Sequence, residues 1–294
     1  MKSLKEMQET ALDATKPGTV NPVEMLRLEA LTSFEKYTKL MFKCQYHRSF
    51  IVAEHHKKIF EALQDVVDGK ITRLIINIAP RYSKTEVVIK SFISWCFALN
   101  PRCRFLHLSY SDILVNDNSD TIRNIMSEEL YKTLFPNSAL ASDKGSAKRW
   151  KTKSGGELYA VSTQGQVTGF GAGNVDIDPE IDKMDGGNDI FVFDDHTNEV
   201  LSMIGAKSNV FQGAIMIDDP IKPEDAASDL VRERINQRFE NTIRNRVNSR
   251  RTPIIIIMQR LHEHDLCGYL QEIEPDAWTV LSLPVIQTDP ETGE

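Results

Sequence analysis

The residues best suited to chemistry lie in one stretch, Ile75–Phe92, whose letters are IINIAPRYSKTEVVIKSF. An apolar, β-branched run leads into a short polar turn, and a helical pattern begins near Lys84. This is the outline of a phosphate-binding loop, in which a helix N-terminus and a lysine hold phosphate oxygens. The usual loop reads G-x-x-x-x-G-K-[ST], but Ile78 and Ser83 stand at its two glycine positions. The stretch is therefore either a nucleotide site or an ordinary strand-to-helix turn.

Three side chains of this turn have the chemistry to bind a nucleotide. Lys84 supplies a point charge for the β- and γ-phosphates, and Thr85 supplies a hydroxyl for Mg²⁺. Arg81 adds a forked donor suited to phosphate oxygens. Against these stands the missing glycine, the residue that normally lets the backbone approach phosphates closely.

A second group of candidate residues follows an apolar strand, Ala214–Pro220, with the letters AIMIDDP. In a nucleotide hydrolase the first carboxylate, Asp218, holds the Mg²⁺ shell, and the second, Asp219, orients or deprotonates the attacking water. The alternative is an Asp-Asp-Pro turn whose carboxylates cap the next segment. The upstream S-K-T turn favours the hydrolase interpretation.

A third strand, PIIIIMQRLHEHDL at 253–266, ends in Gln259 and Arg260. A polar residue at the tip of a parallel strand lies at the ligand-binding edge of the sheet. Gln259 is therefore predicted to sense the γ-phosphate and to transmit its loss. The letters HEHD do not form H-E-x-x-H, so they predict a polar helix start rather than a metal cluster.

The hydrophobic pattern predicts an α/β fold. Continuous apolar strands alternate with helical stretches, which is typical of a mostly parallel sheet covered on both faces. The predicted strands cover 73–78, 104–110, 157–162, 213–218, 253–259 and 278–283, and the helical stretches cover 25–66, 84–99, 111–134 and 225–246.

Composition sets broad limits on the class of protein. The 294 residues are 41% hydrophobic and 26% charged, as in a soluble globular protein, and no apolar run approaches the roughly 20 residues of a membrane span. The N-terminus has no secretory signal pattern. The four cysteines are scattered and include no C-x-x-C pair, which favours a reducing cytoplasm and neither a disulfide framework nor a zinc site.

Charge is distributed unevenly along the chain. The net charge is −7, and residues 174–210 alone hold nine Asp or Glu and two Lys, which also gives −7. This segment is predicted to be a solvated surface insertion, because its acidic spacing misses the calcium-loop pattern. By contrast, 232–251 contains seven Arg against two Glu, which is compatible with nucleic-acid contact or with a solvated helix face.

The motifs together resemble a known family. Their order is GKITRLIINIAPRYSKTE, GGELYAVSTQGQVTGFGAG, AIMIDDPIKPEDAAS and IIIIMQRLHEHDLCGYL. The sequence resembles the ATPase domain of the large terminase subunit, the DNA-packaging motor protein of tailed bacteriophages, over roughly residues 50–285. The resemblance implies a P-loop NTPase fold of the ASCE/RecA-like class. That fold has a mostly parallel central sheet flanked by helices, here with a helical N-terminal region.

The resemblance also implies site residues. The implied catalytic residues are Asp219, Arg81, Lys84 and Gln259. The implied ATP-binding residues are Ala79, Pro80, Arg81, Tyr82, Ser83, Lys84, Thr85, Glu86 and His56. The implied Mg²⁺ ligands are Thr85 and Asp218. His55 or His56 falls where such proteins contact adenine, although the two histidines are equally compatible with a helix surface.

The family pattern divides the chain into three parts. We expect a helical N-terminal region at 1–66, an ATPase core at 67–285 that carries the acidic insertion, and a connector at 286–294. Relatives usually continue into a nuclease domain, so we expect a motor part without nuclease activity. Many relatives have Arg where Phe170 stands, a candidate for a residue supplied in trans by a neighbouring subunit.

The implied activity is Mg²⁺-dependent ATP hydrolysis coupled to translocation of double-stranded DNA into a procapsid. The implied partners are DNA, the portal protein and the small terminase subunit, with a homo-oligomeric ring on the procapsid and no membrane. The implied location is the host cytoplasm, at the portal vertex. The alternatives are a helicase-type nucleic-acid ATPase and a catalytically inactive nucleotide-binding or assembly module.

Overall fold

The computed structural model describes residues 21–142, 146–167, 169–174 and 211–284. These form a mixed α/β fold with a seven-stranded, mostly parallel sheet flanked by helices, which confirms the predicted fold class. Almost all of the acidic segment 174–210 and the whole of the connector 286–294 lie outside the described residues. Within the described residues no helix is both long and apolar enough to cross a membrane.

Three helices precede the sheet and five follow its strands. They are α1 (Pro22–Thr32), α2 (Phe34–Tyr46), α3 (Glu54–Val67), α4 (Phe92–Leu99), α5 (Asp112–Ser127), α6 (Glu129–Leu134), α7 (Asp229–Arg238) and α8 (Leu266–Ile273). A π-helical turn, Glu86–Ser91, runs directly into α4, and a second one, Phe239–Ile243, follows α7. Such turns often occur at functional sites.

The strands are β1 (Arg73–Ile78), β2 (Arg104–Ser109), β3 (Arg149–Lys151), β4 (Glu157–Ser162), β5 (Ile215–Asp218), β6 (Ile254–Met258) and β7 (Thr279–Leu283). Their order in the sheet is β3-β4-β2-β5-β6-β1-β7, and only the β3–β4 pair is antiparallel. Strand β6 therefore lies between β1 and β5. The carboxyl ends of these three parallel strands meet at one edge of the sheet, where ligands bind in open α/β folds.

Alternate strand residues serve two hydrophobic cores, one on each face of the sheet. In β6, Ile255 and Ile257 face the core formed with α1 to α6, whereas Ile254 and Ile256 face the core formed with α7 and α8. All five residues of β6 are buried. This double burial explains why the central strands read as continuous apolar runs.

The helix that follows the loop is anchored deep in the first core. Every residue of α4 is buried, and the indole nitrogen of Trp95 donates to the Ala30 carbonyl at 2.9 Å. The Tyr37 hydroxyl donates to Ser94 Oγ at 2.8 Å. Helices α1 and α2 therefore fix the position of the element that carries the loop.

Three details differ from the sequence prediction. The predicted helical stretch 25–66 forms three separate helices, α1, α2 and α3. The predicted helical stretch 111–134 is divided at Glu128, whose extended backbone (ψ 141) separates α5 from α6. The short strand β3 was not predicted, because three residues around Trp150 give too little alternation to show a period.

Candidate functional site

The loop after β1 takes a conformation suited to anion binding. Arg81 (φ 69) and Ser83 (φ 59) have left-handed backbones, whereas Tyr82 between them does not. Alternation of this kind forms a concave nest of N–H groups that binds anions. The amide groups of Arg81 and Ser83 donate to no group in the described part of the chain. The loop therefore has free backbone donors.

The left-handed backbone answers the question of the missing glycine. Ser83 stands where the second glycine of the usual loop is expected, and it adopts the conformation for which glycine is favoured. Ile78, at the first glycine position, is the buried last residue of β1. Position 78 thus belongs to the strand, and the nest begins three residues later at Arg81.

The loop and the acidic end of β5 meet directly. Lys84 Nζ forms a very short ion pair with Asp219 Oδ2. The Thr85 hydroxyl donates to Asp218 Oδ2 at 2.8 Å. Lys84 is 8% exposed and Asp218 is 5% exposed, so both charges lie within the protein. The four side chains form one polar cluster at the carboxyl edge of the sheet.

Asp218 is held in an environment that disfavours its charge. Burial, with a smaller contribution from the negative charge of Asp219, raises the pKa of its carboxyl to about 7, even though Lys84 and Thr85 act in the opposite direction. Its second oxygen, Oδ1, is buried and has no hydrogen-bond partner among the described residues. A buried carboxylate oxygen without a donor fits a bound cation such as Mg²⁺.

Asp219 has a strained backbone that the sheet holds in place. Its φ is 43, an uncommon value for a residue with a side chain. Its N–H donates to the Ile257 carbonyl at 2.9 Å, and its carbonyl accepts from Tyr110 N–H at 3.0 Å. The Gln259 N–H donates to Asp219 Oδ1 at 3.3 Å, which ties the end of β6 to the carboxylate. Strain of this kind is concentrated at functional sites.

A second polar group lies just behind the loop. Glu86 Oε2 accepts from the Tyr46 hydroxyl and from Lys90 Nζ, each at 3.1 Å. The charge of Lys90 also acts on Asp218 and lowers its pKa. Sequence reasoning missed Tyr46 and Lys90, although the four-residue spacing of Glu86 and Lys90 is the spacing of a helical ion pair.

The two histidines of α3 lie against the loop. The His56 Nδ1 accepts from the Ala53 N–H at 3.0 Å, and its Nε2 lies 3.0 Å from His55 Nε2. His56 is 5% exposed, and burial lowers its pKa to about 4, with His55 adding to the effect. The His55 ring meets the Tyr82 ring edge-on at 5.3 Å. His56 therefore caps α3 in this structure, and His55 contacts the loop.

The remaining predicted residues lie at the rim of the cluster. Arg81 and Tyr82 are exposed, and the Arg81 guanidinium has no partner within the described residues. Ala79 and Pro80 connect β1 to the nest, and Gln259 contributes its backbone rather than its side chain to the cluster. The structure thus brings together Lys84, Thr85, Asp218, Asp219 and the Gln259 backbone.

The HEHD letters end in a helix cap. Asp265 is buried and accepts from Gly268 N–H at 3.0 Å at the start of α8, while Arg260 Nε lies 2.9 Å from its Oδ1. No group of three or more potential metal-ligating side chains occurs in the described ranges.

Phe170 is an internal residue. It is 3% exposed, and the guanidinium carbons of Arg104 and Arg149 lie 5.1 and 5.8 Å from its ring centroid. Of the arginines in 232–251, Arg232 and Arg244 are held in ion pairs with neighbouring acids. Arg234 and Arg250 are exposed.

Comparison with known proteins gives a likeness of fold alone. No protein-family model matches the chain, and no curated protein matches it. Among solved structures, the crystal structure of the HK97 bacteriophage large terminase aligns with a TM-score of 0.47 and 11% identity. The alignment covers 83% of this chain and 42% of that chain, so the chain spans less than half the length of that protein.

Proposed function

We propose that the chain is an ATPase whose site lies between the loop 79–86 and the carboxyl ends of β5 and β6. The observation that carries this proposal is the meeting of the S-K-T turn with two adjacent carboxylates: Thr85 donates to Asp218 at 2.8 Å while Lys84 pairs with Asp219. A nest-bearing loop that carries a cation and a hydroxyl, facing two adjacent acids at the end of β5, supplies the parts that phosphoryl transfer uses.

Each side chain has a distinct role in the proposed reaction. Lys84 and the nest amides bind the β- and γ-phosphates, and Arg81, which is exposed and free, binds phosphate from the rim. Asp219 orients the attacking water and accepts its proton. Gln259, whose N–H donates to Asp219 at 3.3 Å, links the state of that carboxylate to β6.

The residues present fit a magnesium site. Thr85 and Asp218 would hold Mg²⁺, because the Thr85 hydroxyl already contacts Asp218 and Asp218 Oδ1 has no donor. When bound, the ion supplies charge neutralisation on the β- and γ-phosphate oxygens. Ionised Asp218 is costly without a cation because the carboxylate is buried.

We assign this ATPase to the motor of a terminase large subunit that moves double-stranded DNA into a procapsid. The order of the sequence motifs supports this assignment, and the α/β fold is compatible with it. In this role the chain works as a homo-oligomeric ring with the portal protein and the small terminase subunit. Its place is the host cytoplasm, at the portal vertex of the procapsid.

Two alternatives remain for the same site. A helicase-type ATPase normally has a second motor domain of similar fold, and the described residues form a single sheet. An inactive nucleotide-binding module would keep the loop but not turn over ATP. Turnover of ATP that increases with duplex DNA separates the motor from the inactive module.

The test compares ATP hydrolysis by the wild type, Lys84→Ala and Asp219→Asn, with and without duplex DNA. Both variants should lose hydrolysis and keep their circular dichroism spectrum. Lys58→Ala, on the exposed surface of α3, is the matched control and should keep wild-type turnover. Assays should extend to high protein concentration, since a ring can supply an arginine in trans. Full activity in either site variant would show the site assignment to be wrong.

A further inference from the structure

A row of exposed cations lies on β3 and the residues that flank it. Lys148, Arg149, Lys151 and Lys153 are all exposed, whereas Trp150 and Thr152 between them are buried. Alternation of this kind places Arg149, Lys151 and Lys153 on one face of the strand. Residues 146–156 contain these four cations and no acid. We call these four residues the β3 cation row.

Several other exposed lysines in the described part of the chain are paired with acids, whereas the lysines of this row are not. Lys39, Lys57 and Lys70 each lie within 2.9 Å of a nearby acid on their own segment. Lys148, Lys151 and Lys153 form no ion pair within the described residues, and Arg149 is the one member of the row that does. Unpaired cations therefore cluster here.

Arg149 is held in a fixed position. Its Nε donates to Glu157 Oε1 at 2.6 Å, and its guanidinium lies 5.6 Å from the Tyr159 ring centroid. Glu157 is 4% exposed, and its Oε2 also accepts a hydrogen bond from the Arg104 guanidinium at 3.3 Å. The terminal nitrogens of Arg149 have no partner among the described residues. They present a preorganised fork of the kind that binds phosphate.

Protection of a sheet edge does not explain the charges. Exposed edge strands often carry lysine to prevent pairing with another chain. The outer side of β3 is already covered, because Ala141 N–H donates to the Lys151 carbonyl at 2.9 Å and Lys153 N–H donates to the Ala139 carbonyl at 2.8 Å. The cations thus lie on a strand that needs no such protection.

We propose that the β3 cation row is the surface on which the phosphate backbone of duplex DNA is held. Side chains on one face of a strand lie about 7 Å apart, within the Debye length of about 10 Å at 0.1 M salt, so their potentials add. Phosphate contacts of this kind give affinity without base preference. The choice of duplex DNA rests on the proposed motor function.

The row is separate from the nucleotide site. Strands β4 and β2 lie between β3 and β5, so changes in the row leave the cluster at the ends of β1, β5 and β6 intact. DNA binding and basal ATP hydrolysis should therefore be separable by mutation.

The experiment measures binding of a fluorescent duplex by anisotropy over a range of salt concentrations. The test variant is the triple Lys148→Gln, Lys151→Gln and Lys153→Gln. Arg149 is kept, because its removal would leave the buried negative charge of Glu157 without one of its two cationic partners. The control is the triple Lys39→Gln, Lys58→Gln and Lys132→Gln, which makes the same change in net charge elsewhere on the surface.

We expect the test variant to bind at least about tenfold more weakly at low salt. Its slope of log affinity against log salt should fall by about two to three, since each lost phosphate contact removes about 0.9. The control should stay close to wild type, and both variants should keep basal hydrolysis.

Equal weakening of both triples, an unchanged slope in the test variant, or no duplex binding by the wild type would overturn the inference. Competition by polyglutamate as strong as that by DNA would instead identify an acidic protein surface as the partner. Absence of ATP hydrolysis by the wild type, with or without duplex DNA, would contradict the proposed function separately, because hydrolysis and duplex binding are measured in different assays.

Discussion

Lys84 and Asp219 form a direct ion pair across the site, although 135 residues separate them in the chain. The Lys84 side chain is 9% exposed and that of Asp219 is 26% exposed. Without a nucleotide, the lysine that would bind phosphate is therefore neutralised by the carboxylate that would activate water. A phosphate that binds Lys84 must therefore displace the Asp219 carboxylate from it. This displacement releases Asp219 from the ion pair.

Asp219→Asn should therefore bind nucleotide more tightly than the wild type while it loses hydrolysis. Release of a partly buried ion pair of about 1 kcal/mol corresponds to roughly a fivefold gain in affinity. The measurement is calorimetric titration with ADP, because ADP lacks the γ-phosphate that the Asp219 charge would repel. Unchanged affinity for ADP would show that the ion pair does not compete with phosphate.

The stability of the nucleotide-free protein should decrease as pH rises towards 7. Burial raises the pKa of Asp218 from 3.8 to about 7, so the folded state binds more protons than the unfolded state between those values. Unfolding is then favoured as pH rises through this window, and the effect levels off above the folded-state pKa.

Asp218→Asn removes this effect. Its free energy of unfolding relative to the wild type should be higher at pH 8 than at pH 5 by about 1 kcal/mol or more. Urea denaturation at the two pH values measures the difference. Asp117→Asn, on the exposed surface of α5, is the control and should show no such dependence. A pH-independent difference for Asp218→Asn would contradict the expectation.

Ser83 should tolerate glycine but not a β-branched residue. At φ 59, glycine relieves the strain of a left-handed backbone and adds unfolded-state entropy, so Ser83→Gly should change stability by less than about 1 kcal/mol. Ser83→Val should destabilise the fold by about 1–2 kcal/mol and lower ATP affinity. Thermal unfolding and nucleotide titration test both; equal behaviour of the two variants would argue against a left-handed nest.

Phe170 should act through packing. Its buried ring lies near two guanidinium groups, so Phe170→Ala should cost about 3–5 kcal/mol of stability. Phe170→Arg should be at least as harmful, because a third cation would be placed beside Arg104 and Arg149 at a buried position. Chemical denaturation measures the free energy of unfolding of both variants. A Phe170→Arg variant as stable as the wild type would mean that the side chain at this position can turn outward.

The sequence predicted the strands of this fold well because burial on both faces leaves long apolar runs. The run at 73–78 gives β1 its observed bounds, and the runs at 213–218 and 253–259 contain β5 and β6. Strand β3 was missed because three residues have no measurable period. The break at Glu128 was missed because it depends on one backbone angle within an otherwise helical pattern.

For the candidate site, sequence reasoning identified residue types but not their geometry. The S-K-T and D-D motifs selected Lys84, Thr85, Asp218 and Asp219, which the fold brings together. The left-handed backbone at Ser83 and the Asp219 φ of 43 result from tertiary constraint, which a sequence pattern does not encode. The Tyr46–Glu86 contact depends on the packing of α2, so no local signal in the loop could indicate it.

The strand order also has a consequence for synthesis of the chain. Within the part of the chain that the structure describes, strand β1 pairs with β6 and β7 alone, and both are made long after it. Until about residue 258 has left the ribosome, the loop has no neighbouring strand to hold it and no carboxylates to face. The nascent chain therefore carries the loop residues well before the strands and carboxylates that complete the candidate site, so the site cannot form until β5 and β6 have both been synthesised.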